Sequence, residues 1–182
     1  MAIKTFTAGS VLTASDTNTY LANSGLVYIT TVSFNSLNTT INNCFSSAYD
    51  NYRIIFTSTG SSLGGAIGVY MRPNGVSAGY GGSILRSYGS TANAIPNNSD
   101  IFLLGYTTST SHQFTAQIDL ISPYLPQPTL CNFQSFGYNS ADNVNYAGGE
   151  NLYTTGQYTN LLIGVFTGTV DAKVTIYGYR KA

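Results

Sequence analysis

The sequence carries very little charge. Only 8% of its 182 residues are Asp, Glu, Lys or Arg, and seven acidic residues balance seven basic ones, whereas an average soluble domain has about 25% charged residues. Affinity for nucleic acids and for anionic membranes comes from concentrated Lys and Arg, so we expect neither as a partner. The surface must consist largely of neutral hydroxyl and amide groups, which suit contacts with proteins or sugars.

Residues used in catalysis and metal binding are also scarce. His112 is the only histidine, Glu150 the only glutamate, and Cys44 and Cys131 the only cysteines. Cys44 and His112 show no spacing typical of a nucleophile and its base. Asp142 and Glu150 flank a Gly-containing turn where they could approach each other, but two solvated hairpin residues are the better interpretation. The sequence predicts no enzyme, no cofactor and no metal site.

Long apolar runs are missing. The longest, such as Leu161 to Phe166, are far shorter than a membrane span. Residues 1–10 contain one Lys and no apolar core of a signal peptide. We therefore expect no membrane insertion and no secretion signal. For a chain made in the cytosol, two buried free thiols at Cys44 and Cys131 are favoured, with one disulfide between them as the alternative.

The sequence is rich in residues that favour β-strands, including 15 Tyr beside no Trp. From Leu26 onward the apolar period is two. We predict further strands at Tyr52–Thr57, Ala66–Met71, Tyr80–Tyr88, Ile101–Leu104, Gln113–Ile121, Thr129–Phe136, Asn145–Tyr153, Leu161–Phe166 and Lys173–Tyr179. Such short strands with no alternating helices predict one all-β domain over residues 27–182, a jelly-roll-like β-sandwich.

Turn residues separate these strands. Arg72-Pro73-Asn74-Gly75 has the pattern of a type I turn, and Gly148-Gly149 is expected to break a strand. Three prolines at 123, 126 and 128 place their segment in a loop or at a sheet edge.

Residues 1–26 are predicted to form an arm with one short helix. Thr13 is a suitable N-cap for a helix reaching Leu21, and Gly25 stops the run. A helix of this length needs a packing partner. That partner is either the chain's own domain or the surface of a larger particle. The residues expected to anchor the arm are Ile3, Phe6, Val11, Leu12, Tyr20 and Leu21.

Three segments resemble a known group of proteins. Phe6–Leu21, with its Thr-Ala-Gly entry and Leu-Thr-Ala cap, resembles a segment near the start of many tailed-bacteriophage appendage proteins. Phe45–Phe56, containing Tyr-Asp-Asn-Tyr-Arg before an apolar strand, is similar to a motif of fibre-like virion proteins of marine phages, including those that infect cyanobacteria. The closing Val174–Arg180, with the preceding Gly168–Val170, resembles the final strands of that group.

This resemblance implies a tail fibre-like virion structural protein without enzymatic activity. It also implies assembly with other virion proteins, commonly as a homotrimer, in the host cytoplasm, with exposure on the extracellular particle. The first functional hypothesis is therefore a fibre-like or knob-like appendage that contacts a host surface glycan or protein. The abundance of Tyr near Gly-rich turns makes Tyr80, Tyr88, Tyr106, Tyr138, Tyr146, Tyr153 and Tyr158 the candidate contact residues.

Two other functions compete with this one. The alternative structural role is a capsid decoration or cementing protein that stabilises the shell through the arm and the neutral surface. The third hypothesis, a glycan depolymerase, would depend on Asp100, Asp119, Asp142 and Glu150. With so few catalytic residue types, the sequence favours the appendage first and the enzyme last.

Overall fold

The computed structural model describes residue 9 and residues 25–61, 67–97, 100–107, 113–139 and 142–181. These residues form twelve strands: β1 (Leu26–Ser36), β2 (Asn38–Ile41), β3 (Tyr49–Ser61), β4 (Ile67–Pro73), β5 (Tyr80–Tyr88), β6 (Thr91–Asn97), β7 (Phe102–Thr107), β8 (Phe114–Ile121), β9 (Thr129–Asn139), β10 (Asp142–Leu152), β11 (Leu161–Val165) and β12 (Val170–Arg180). Within these ranges no helix is long and apolar enough to cross a membrane. The predicted helix and all six anchor residues of the arm lie outside the described residues.

The strands form two antiparallel sheets. The larger sheet has the order β1-β12-β3-β8-β9-β10-β5-β6, and the smaller sheet has the order β2-β11-β4-β7. The chain crosses repeatedly from one sheet to the other, since β1, β3, β5 and β12 lie in the larger sheet and β2, β4, β7 and β11 in the smaller one. The predicted jelly-roll-like β-sandwich is confirmed.

The core lies between the sheets and follows the period of two. In β8, Phe114, Ala116, Ile118 and Leu120 are buried while their neighbours are more exposed. The inward residues of β3, β8 and β12 share one hydrophobic cluster with those of β4, β7 and β11. Such alternation fixes the register, because a slip of one residue would expose every buried side chain of a strand.

The motif around β3 has a clear structural role. Phe45 and Tyr52 are both buried, and their rings meet edge to face with centroids 4.8 Å apart. The Tyr52 hydroxyl donates to the Ser46 carbonyl at 2.9 Å and accepts from the Ser46 amide at 2.7 Å. Tyr49 packs against Gly178, where a Cβ would lie 2.3 Å from the Tyr49 ring. The second and third resembling segments therefore pack against each other.

Every strand predicted from the sequence forms, but two others were missed. Strand β2 has only four residues, too few for a visible alternation. Strand β6 contains two Asn, two Ala and Pro96, which disfavour strands. It forms at the edge of the larger sheet, where a proline needs no ladder partner. The segment with the three prolines is a loop, as expected.

One turn prediction was wrong in the type of the turn, and another was wrong altogether. The predicted turn at Arg72–Gly75 forms, with the Gly75 amide donating to the Arg72 carbonyl at 3.4 Å, but Asn74 and Gly75 have φ angles of 47° and 69°, which a type I turn does not have. Gly148 and Gly149 do not break a strand but lie inside β10. Gly148 faces the Phe133 ring, which lies 2.8 Å from the place of a Cβ and leaves no room for a side chain. The two glycines are therefore compatible with continuous pairing.

Candidate functional site

The outer face of the larger sheet, which points away from the core, carries a group of amide side chains on its central strands β8 and β9. Cross-strand pairing places Gln117 of β8 beside Gln134 of β9, and Gln134 beside Ala147 of β10. One row further along, Asp119 is beside Asn132, and Asn132 is beside Gly149. Partners in such rows have Cβ atoms about 4.5–5.5 Å apart and point to the same side. The outer face thus presents neighbouring polar groups in a fixed array.

A depression lies on this face, made of one central hollow and two smaller hollows beside it, and we call the whole depression the amide groove. Its walls are Gln117, Asn132 and Gln134, all exposed, and its floor includes Ala147. The central hollow, which these residues line, encloses about 420 Å³. Two smaller depressions of about 180 and 220 Å³ adjoin it, sharing Gln134 and Ala147 on one side and Asn132 on the other. The groove is deep along β10 because Ala147 and Gly149 are small, and larger side chains at these positions would fill the space.

The charged groups of the groove neutralise each other. Arg53 forms two hydrogen bonds to Asp119, from Nε to Oδ1 at 2.9 Å and from a terminal nitrogen to Oδ2 at 2.8 Å. The Tyr179 hydroxyl donates to the same Oδ1 at 2.5 Å. The Arg53 guanidinium lowers the pKa of Asp119, so this carboxylate stays ionised at neutral pH. This ion pair therefore adds no net charge to the groove.

Three of the tyrosines expected to contact a receptor are core residues. Tyr80, Tyr146 and Tyr158 are buried. The Tyr80 hydroxyl donates to the Val76 carbonyl and that of Tyr158 to the Thr154 carbonyl, both at 2.9 Å. The prediction is corrected for these three, because buried rings present no surface to a partner. Strand alternation sends Tyr80 of β5 and Tyr146 of β10 inward, whereas Tyr158 lies in the loop between β10 and β11, where its amide donates to the Pro123 carbonyl at 2.9 Å.

The remaining candidates differ in accessibility. Tyr88, Tyr106 and Tyr138 are half-buried, whereas Tyr153 is 60% exposed. Tyr153 directly follows β10, and its ring covers Gly81, where a Cβ would lie 2.9 Å from the ring. Gly81 in turn lines the smaller depression next to Asn132. The structure thus places one exposed predicted tyrosine at an end of the amide groove.

Three of the candidate catalytic carboxylates, Asp119, Asp142 and Glu150, do not converge. Asp142 and Glu150 lie on the same strand, eight residues apart, which corresponds to about 27 Å. Glu150 is also not a solvated hairpin residue, since it is buried and accepts hydrogen bonds from Asn97 Nδ2 and the Leu103 amide. Register places Asp119 on the outer face and Glu150 on the inner face. A paired-carboxylate glycosidase site is therefore not built from these residues.

The cysteines are free thiols within the core. Cys44 and Cys131 are both buried and unpaired as a disulfide, which agrees with the favoured prediction. Burial raises the pKa of Cys44 to about 12 and that of Cys131 well above its usual value, so neither is a thiolate at neutral pH. His112 lies outside the described residues. Among those described, no three His, Cys, Asp or Glu side chains are grouped as a metal site.

Sequence reasoning missed the groove itself. The signal was present in the predicted strand around Asn132-Phe133-Gln134, where amides alternate with a buried ring. It was not decisive, because which strands neighbour β9, and in which register, depends on contacts distant in sequence. The charge pair between Arg53 and Asp119 joins residues on β3 and β8 that the sequence separates widely.

No protein-family model matches the chain, and no curated protein matches it. Among solved structures, the chain is similar to the galectin LEC-6 of Caenorhabditis elegans, with 9% sequence identity and a TM-score of 0.35. The similarity covers 79% of this chain and 94% of the galectin chain. At this level it says nothing of function.

Proposed function

We propose that the chain is a structural protein of a tailed-bacteriophage virion, a fibre-like or knob-like appendage that contacts the host surface without catalysis. The observation that carries the contact role is the amide groove, an open and electrically balanced depression on the outer face of the larger sheet. The virion assignment is supported by the resemblance of the three segments to phage appendage proteins. Other virion proteins, and further copies in a trimer, are its expected partners.

Competition for adsorption tests this role. Purified full-length chain, added to host cells before the particles that carry it, should occupy the host sites and slow adsorption in proportion to its concentration. An unrelated β-sandwich protein of similar charge is the control. Unchanged adsorption at saturating chain would contradict a host-contact role.

The second candidate, a decoration protein that cements the capsid, is favoured by the edge strand β1. This strand is 11 residues long, contains no charged residue or proline, and exposes Leu26 and Tyr28. A long edge of this kind is suited to pairing with another subunit. For a cementing protein, particles lacking the chain should adsorb normally but release their DNA at a lower temperature.

A further inference from the structure

We propose that the amide groove binds an uncharged oligosaccharide, which lies along β9 and β10 with one sugar ring against Tyr153. This inference rests on the proposed function in that it names the host-surface chemistry the appendage would recognise. It can be tested on the isolated protein, because all residues of the groove belong to one chain.

The hydrogen-bonding groups of the amide groove suit sugar hydroxyls. A sugar hydroxyl both donates and accepts, and adjacent hydroxyls are best met by groups that do the same side by side. Amide side chains provide two donors and an acceptor each. Gln117 and Gln134 face each other across β8 and β9, with Asn132 in the next row, so their amides are neighbours on one wall. All three are exposed and available to a ligand.

The paired charges of the groove favour uncharged sugars. Both oxygens of Asp119 already accept hydrogen bonds from Arg53, and one also accepts from Tyr179. The guanidinium is correspondingly directed at its own carboxylate rather than at an incoming anion. A uronic or sialic acid would lose hydration without gaining an unpaired cation here. A neutral hexose or N-acetylhexosamine loses no such hydration.

Apolar surface lies at the two ends of the groove. Tyr153 is 60% exposed at one end, while Leu85 and Phe136 are 53% and 43% exposed toward the other. The C–H faces of a sugar pack on such rings and side chains, and Tyr is well suited because one end of it is apolar and the other polar. From Tyr153 to Asn145, which lines the depression nearest Leu85, is about 27 Å along the strand. This length fits an extended chain of several sugars.

Binding of the purified full-length chain to an array of neutral and acidic oligosaccharides tests the proposal, followed by titration of the best neutral ligand. We expect binding to neutral members and little to uronate- or sialate-containing ones. The variants Asn132→Ala, Gln134→Ala and Tyr153→Ala should each weaken binding by about three- to tenfold, as expected for lost hydrogen bonds or ring contact. The matched control is Tyr28→Ala, since Tyr28 is also 60% exposed on the outer face but lies on edge strand β1.

A fourth variant alters the floor of the groove without removing a contact. At Gly149 the nearest atom to an added Cβ is Asn132 Oδ1 at 3.4 Å, so Gly149→Ala fits the fold while raising the floor. Its thermal unfolding should match that of the parent while saccharide binding falls. All variants are compared by circular dichroism before binding is measured, which separates loss of the site from loss of the fold.

The outcomes distinguish this inference from the proposed function. Failure to bind any saccharide, binding to acidic members alone, or binding unchanged in the groove variants overturns the inference. If adsorption is still blocked by the chain in that case, the host-contact function stands with another ligand. Conversely, groove-dependent binding of neutral sugars without any effect on adsorption supports the inference and contradicts the proposed function.

Discussion

Glu150 should make this protein less stable as pH rises toward neutral, which is the opposite of the usual effect of an acidic residue. It is the only glutamate of the chain and is 3% exposed, and its carboxylate accepts from Asn97 Nδ2 at 2.9 Å and from the Leu103 amide at 3.0 Å. To reach Asn97 on β6 the side chain crosses Gly82 of β5, which pairs with both residues. Burial raises the pKa of Glu150 from 4.5 to about 7, despite these two donors.

The direction of this pH dependence follows from whether the folded or the unfolded state holds the Glu150 proton at a given pH. Between pH 4.5 and about 7 the unfolded chain has lost the Glu150 proton while the folded chain keeps it. Folding stability from this group is therefore present at low pH and is lost as pH rises through about 7. The difference between the two pKa values corresponds to on the order of 3 kcal/mol. For a protein of this size, that is a fall of about 6–12 °C in Tm.

Urea denaturation at pH 5, 6, 7 and 8, followed by circular dichroism, measures this dependence. The control is Glu150→Gln, which cannot titrate. The glutamine amide would direct its own N–H donor at one of the two N–H groups that the carboxylate accepts from, which costs about 1–3 kcal/mol of stability at every pH. The slopes of the two plots of stability against pH are therefore compared, rather than the stabilities themselves. The single histidine is common to both proteins and cancels. Parallel pH profiles for the two proteins would show that Glu150 does not titrate with a raised pKa in the folded state.

Three further predictions concern packing, charge and the thiols. Gly82→Ala should destabilise the fold by about 1–3 kcal/mol in urea denaturation, because its Cβ would lie 2.5 Å from a backbone oxygen of β10; unchanged stability would contradict this packing. Asp119→Asn should leave Arg53 unpaired and shift array binding toward acidic saccharides, with stability changed by less than about 1 kcal/mol because the pair is partly exposed; an unchanged preference would argue against electrical balance as the selector. Cys44 and Cys131 should react with Ellman's reagent only after unfolding, since both are buried; rapid labelling of the native protein would show that the core opens readily.

The sequence allowed the fold class to be predicted because local patterns carry it. Alternation around Val174 and Ile176 and the run before Phe56 identify strands whatever their partners are. Strand β6 gave no such signal, since small and polar residues form it only beside β5. Gly148 was misread for the same reason, because the Phe133 ring that accommodates it comes from a neighbouring strand.

The candidate site was harder to predict because it arises from pairing. Tyrosine abundance pointed to sugar contacts, but burial removes Tyr80, Tyr146 and Tyr158 and leaves Tyr153 as the most exposed of the set. The amides Asn132 and Gln134 resemble ordinary strand residues until the register places them beside small residues of β10. Composition therefore indicates the chemistry of the surface, whereas topology decides its location.

Electron cryo-microscopy of whole particles that carry this chain shows directly where the chain lies on the virion. A host-contact appendage should give density projecting from the tail or neck, as knobs or fibres with threefold symmetry, with the outer face of the larger sheet and Tyr153 turned toward the exterior. Density spread over the shell at capsid symmetry, with that face covered by neighbouring subunits, would contradict this role and make the chain a decoration protein.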